Sequence, residues 1–146
     1  MKDIEKVFPD SFPTDFREKL LALGAKEQSM VVYRICKYGK LDEMAFLSTF
    51  EETVRKLRKG KLIENDVGSY STSCHQDIKD SQRLLKFTLR RPFPKAFIAK
   101  GVIKEEKGLV QLTSERNSNC FDSHVDWWIY ANAQPHLDFK VVDDDE

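Results

Sequence analysis

The sequence predicts an α+β fold, with helices mainly in the N-terminal half packed on an antiparallel sheet. Helical periodicity concentrates before residue 90, strand patterning dominates after it, and two strand-like runs are embedded in the helical half. That order lacks the regular strand-helix alternation of a doubly wound sheet. At 146 residues the chain has the length of one domain, so residues 1–146 are expected to form a single unit. No internal repeat or low-complexity tract interrupts it.

Residues 1–12 carry Phe8, Pro9 and Phe12 among charges, with Pro13 following, and read as an irregular arm pinned across the domain by aromatic contacts. Thr14 is placed to cap a helix from Asp15 to Leu23, with Phe16, Leu20 and Leu23 at helical spacing and Gly24 to end it. From Met30 to Lys37 strict alternation predicts a strand, with Val31, Tyr33 and Ile35 on one side and Val32, Arg34 and Cys36 on the other. Residues 37–40 read as a turn and Leu41 to Leu47 as a short helix. Ser48-Thr49-Phe50-Glu51 offers a capping box that opens a helix to about Lys59, closed by Gly60. The basic residues of its last turn, Arg55, Lys56, Arg58 and Lys59, suit the negative end of a helix dipole and read as a solvated helix end.

A polar loop from Lys61 to Asp66 precedes a predicted strand through Gly68 to Ser73. A helix follows from about Asp77 to Leu89, stopped by Arg90-Arg91-Pro92. Ala96 to Lys104 and Leu109 to Thr113 read as partner strands joined by a hairpin turn at Glu105 to Gly108. After a polar loop, Ser114 to Ser123, strands are expected at His124 to Ala131 and, past a turn at Pro135, at Leu137 to Val142. Residues 143–146 form an acidic tail, read as a frayed, solubilising end.

Lys+Arg and Asp+Glu are equal at 24 each, so no net charge draws the chain to phosphate polymers, and nucleic acid is not an expected partner. The three cysteines, Cys36, Cys74 and Cys120, form no Cys-x-x-Cys pair, which argues against a zinc ribbon and a stapled secreted scaffold. Free thiols fit a cytoplasmic protein. No basic-then-apolar leader is present and no apolar run nears the roughly 18 residues of a membrane span.

Chemistry is expected where polar groups interrupt strand-like runs, because burying an unpaired ion is costly. Arg34 lies in Met30 to Cys36, the hydroxyls of Ser71, Thr72 and Ser73 follow Tyr70, and Asp126 lies in His124 to Tyr130. The fork of Arg34 suits phosphate oxygens, the hydroxyls suit a ribose, and Tyr70 or Trp128 suits stacking on a planar ring. With no glycine-rich phosphate loop in the chain, Rossmann and Walker readings are weak. Each residue also has a structural reading: Arg34 pairing with an acid across a sheet edge, Ser71 and Ser73 as solvent-facing hydroxyls, Trp127, Trp128 and Tyr130 as core aromatics. Asp126 shares a strand face with His124, so a satisfied His-Asp pair is a further option.

The succession Tyr33-Arg34, then Tyr70-Ser71-Thr72-Ser73, then an acid on a later strand, then Phe139-Lys140-Val141, resembles the mono-ADP-ribosyltransferases of the arginine/serine/glutamate type over residues 30 to 142. The resemblance implies an ADP-ribosyltransferase-like fold on a split antiparallel β-sheet core. It also implies NAD as substrate and a protein or other macromolecular acceptor. Arg34, Ser71 and Asp126 would carry the chemistry, and Arg34, Tyr70, Ser71, Thr72, Ser73 and Trp128 would bind NAD. One motif departs from the family: His124-Val125-Asp126 stands where Glu-x-Glu is usual. Asp126 keeps the charge one methylene short, and a misplacement of about 1 Å costs on the order of a hundredfold in rate. Three outcomes stay open: a different substrate, a backbone that compensates, or binding without turnover. A noncatalytic protein-interaction module using Trp127, Trp128 and the acidic tail is the alternative.

Overall fold

A computed structural model describes residues 6–57, 66–90 and 93–142. The acidic tail, Arg58 to Gly60 of the expected second helix, most of the loop from Lys61 and the Arg91-Pro92 stop lie outside the described residues. Three α-helices and six strands form an α+β fold among those described: α1 Phe16–Leu23, β1 Met30–Cys36, α2 Thr49–Val54, β2 Thr72–His75, α3 Ile78–Arg90, β3 Phe97–Ile103, β4 Gly108–Leu112, β5 His124–Ile129 and β6 Phe139–Val141. All strand pairs are antiparallel, in the spatial order β4-β5-β2-β1-β3-β6. No described helix is long and apolar enough to cross a membrane.

Local chemistry accounts for the helix ends. Phe16 and Leu20 face inward from α1, and Gly24, at φ 105°, turns the chain so that the Ala25 N–H returns to the Leu20 carbonyl at 3.0 Å. Asp15, not Thr14, occupies the cap position, in a left-handed conformation without a side-chain cap. The Ser48 hydroxyl accepts from the Glu51 N–H at 3.1 Å, so α2 starts where the capping box places it. It ends at Val54 and not near Lys59, because Lys56 turns left-handed and donates back to Thr53. The helix expected from Leu41 is one 3₁₀ turn, Glu43–Phe46, capped by Asp42.

Two expectations are corrected. The run from Gly68 is not a strand from its start: Val67–Tyr70 is a 3₁₀ turn, because Asp66 accepts from the Gly68 N–H at 3.0 Å and offers the backbone a local alternative to extension. Extension begins only at Thr72. Nor do β3 and β4 form a hairpin. The turn Glu105–Lys107 redirects the chain, and β4 pairs with β5 from Gly108↔Ile129 to Leu112↔Val125. Gly108 permits that pairing, since a Cβ there would meet the Trp128 carbonyl at 2.3 Å and the Trp127 Nε1 at 2.8 Å.

So short a link between strands far apart in the sheet order requires the sheet to curl. Its concave face buries one cluster drawn from both ends, including Val32 of β1, Ala99 and Ile103 of β3, Val110 of β4 and Trp127 of β5. The other face receives α3 over β1, β2 and β3, and α1 with the aromatic arm over Leu109 and Trp128. Phe8 stacks on Phe12, both meet Phe16 edge to face, and the group closes on Tyr130 and Tyr70, with centroids 5.2 to 6.0 Å apart, as expected of a pinned arm. β1 and β2 meet at a single register pair, Tyr33↔His75, whereas β1 and β3 pair over seven residues. The sheet is therefore two three-stranded blades joined at a narrow seam.

Candidate functional site

Arg34 lies beside that seam. Alternation puts it with Val32 and Cys36, on the opposite face from Ser73, His75 and Asp126, yet its side chain reaches across the gap. Nη1 donates to the Ser73 carbonyl at 2.8 Å, Nε to the Ala45 carbonyl at 2.8 Å and Nη2 to the Leu47 carbonyl at 3.4 Å. One guanidinium thus ties β1 to β2 and to the segment before α2. Thr72 adds to the same anchorage by donating to the Phe46 carbonyl at 2.6 Å. The acid partner considered for Arg34 is absent among the described residues, its place taken by three carbonyls.

The motif from Tyr70 to Ser73 divides between two clefts because successive side chains point opposite ways. Ser71 and Ser73 line a cleft of about 240 Å³ with Arg34, Lys37, Glu52 and Thr88. Tyr70 and Thr72 line a separate cleft of about 310 Å³, walled by the arm, Phe46 and the 129–135 loop. Tyr70 is buried against Phe12, Phe16 and Phe50. Trp128, expected to stack on a ligand, is completely buried and donates through Nε1 to the Val67 carbonyl at 2.9 Å. Trp127 is equally buried, so neither indole presents a surface to a partner.

Asp126 lies beneath the first cleft, 3% exposed. Ser71 donates to Oδ1 at 2.6 Å, while Thr113 at 2.8 Å and Arg116 at 2.7 Å donate to Oδ2. Arg116 is itself fixed by Gln111 at 2.7 Å and lies over the Trp128 ring at 5.7 Å. Gln111 stands directly opposite Asp126 across β4 and β5 and bonds onward to the Leu23 carbonyl at 2.6 Å. His124 does not pair with Asp126 directly; its Nδ1 meets the Thr113 hydroxyl at 2.5 Å. With Nδ1 donating, Thr113 is free to donate its own proton to Asp126, giving an ordered chain from His124 to Ser71. Sequence reasoning missed Thr113 and Arg116: both fall just past β4, in a stretch read as a strand end and a polar loop, and only the β4–β5 register brings them onto Asp126.

Burial sets the other ionisable groups. It lowers His75 to about 4, with His124 adding to the effect, and pushes the thiols of Cys36 and Cys74 up to about 11 and about 12. Neutral thiols in the concave core are poor nucleophiles, in keeping with a structural reading of both. The first cleft therefore offers two cations, several hydroxyls and one acid, Glu52, held by Lys37 at 2.6 Å. Compared with models of protein families, with curated proteins and with solved structures, the chain finds no match.

Proposed function

We propose that this chain is a mono-ADP-ribosyltransferase-like domain that binds NAD in the cleft where β1 and β2 part. The observation that supports this reading best is that Arg34 and Ser71 line one cleft and Ser71 donates to the buried Asp126 beneath it at 2.6 Å. A ribose needs hydroxyl partners, supplied by Ser71 and Ser73. A phosphate needs cationic donors, supplied by the Arg34 Nη2, whose bond to Leu47 is the longest of its three, and by the remaining N–H groups of Lys37, whose charge Glu52 already offsets at 2.6 Å. At about 240 Å³ the cleft is smaller than the roughly 300–1,000 Å³ of drug-sized sites, so it takes one ribose-phosphate half of the dinucleotide.

The same geometry favours binding over transfer. An acid that stabilises a developing cation must face it, and Asp126 instead faces Arg116 and reaches the cleft only through Ser71. Calorimetric titration of NAD to millimolar concentration should give saturable heat, weakened several-fold by Ser71→Ala, which leaves Asp126 its bonds to Thr113 and Arg116. A flat titration removes the proposal. Asp126→Asn should lower stability by about 3–5 kcal/mol by leaving Arg116 without its carboxylate, and Arg116→Gln in the same chain should restore part of it. If Asp126→Asn melts like the wild type yet abolishes release of nicotinamide, the acid is catalytic and the preference for binding alone is wrong.

A further inference from the structure

The two edges of the sheet are treated differently. Along β4 the outer edge is partly covered, because Lys26 exchanges backbone hydrogen bonds of 3.0 and 2.8 Å with Val110. At the opposite edge, no described strand pairs with the outer side of β6. Val142 donates inward to Ile98 at 2.9 Å, so by the alternation of an antiparallel ladder Val141 turns its N–H and C=O outward. An uncovered edge with free backbone groups is a template for one more strand.

Beside that edge runs a groove of about 480 Å³, the floor of which is formed by β3 and β6. Its apolar members are unusually open: Val31 is 50% exposed, Val102 40%, Leu137 66% and Val141 52%. Among its described lining residues, the charge left without an ion pair is basic. Lys100 and Lys140 stand directly opposite each other across β3 and β6, and neither forms an ion pair among the described residues. Like charges so placed repel, a cost that an anionic partner would reverse. Asp138, the acid that lines the groove, is already engaged by Lys104 at 2.9 Å and by Lys107.

We infer that β6 is a docking edge for an extended acidic segment of a partner protein, which adds as a seventh strand. Its backbone pairs with Val141, its carboxylates meet Lys100 and Lys140, and its alternate apolar side chains cover Val31, Val102 and Leu137. This groove shares no lining residue with the cleft assigned to NAD, so the inference stands independently of that reading. Nucleic acid satisfies the lysines but has no use for an open strand edge, which is why a peptide is favoured.

The test is fluorescence polarisation of the full chain with a labelled octapeptide alternating glutamate and valine. Saturable binding is expected, weakening as salt rises, with the Lys100→Glu, Lys140→Glu double variant about tenfold weaker. Val141→Pro, which removes the outward N–H at an edge position that tolerates proline, should also lose binding while the melting temperature holds. If the octapeptide fails to bind, or a lysine-valine counterpart binds equally well, the inference is overturned. It is also overturned if a DNA duplex binds more tightly than the peptide, or if sedimentation shows the edge already occupied by a second copy of the chain.

Discussion

His75 is where burial and proton binding conflict most openly. It is 2% exposed, its Nδ1 lies 3.4 Å from the Ser81 hydroxyl, and its Nε2 has no partner among the described residues. Its neighbours include His124, 5.1 Å away between ring centroids, and Arg34, and both disfavour a positive charge, whereas Asp80 favours one. The folded value of about 4 lies below the 6.5 of the unfolded chain, so the unfolded state takes up a proton first as pH falls. Stability from this group is complete above pH 6.5, drains away between pH 6.5 and 4, and levels off below. The loss amounts to about 3 kcal/mol. Thermal melts across that window should show the fall, and His75→Phe, which keeps a ring and removes the titrating nitrogens, should flatten it. An unchanged slope in the variant would assign the acid sensitivity to other groups.

At the scale of elements, pairing is decided by close approach more than by proximity in sequence. Gly108 admits the Trp128 carbonyl, and Gly108→Ala should therefore lift β4 from β5 and take Thr113 and Arg116 away from Asp126. The expected cost is at least the 1–3 kcal/mol of an overpacked core site, read as a lowered denaturant midpoint. Helix starts such as Ser48 and the strand alternation of β1 and β5 were legible because they depend on neighbours within a few residues. The false hairpin at Glu105 to Gly108 was not, since its turn signals were real and the contact that overrode them, Gly108 against Trp128, lies on the next strand, beyond any local window. The division of the Tyr70 to Ser73 motif was hidden for a related reason. Read from the sequence, the three hydroxyls form one set, whereas an extended strand sends Ser71 and Thr72 to opposite faces and the curl of the sheet gives each face its own cleft.

For the molecule as a whole, the three residues singled out by order along the chain do come near one another, though not in the roles their order implied. Arg34 and Ser71 share a cleft, while Asp126 is an interior acid bound to Arg116, a partner that no local pattern announced. The narrow seam governs what the domain does mechanically. Within each blade an amide is released only when several cross-strand bonds break together, but between the blades the backbone ladder is one register pair, reinforced by the Arg34 side chain, with α3 and the shared core cluster bridging both. The backbone ladder is thus weakest along β1 and β2, where a local opening breaks the fewest cross-strand bonds. Amides bordering the seam should exchange with solvent deuterium well before those in the middle of β1–β3 pairing. Occupation of the cleft would act as a clasp, slowing that exchange without altering the shape of either blade.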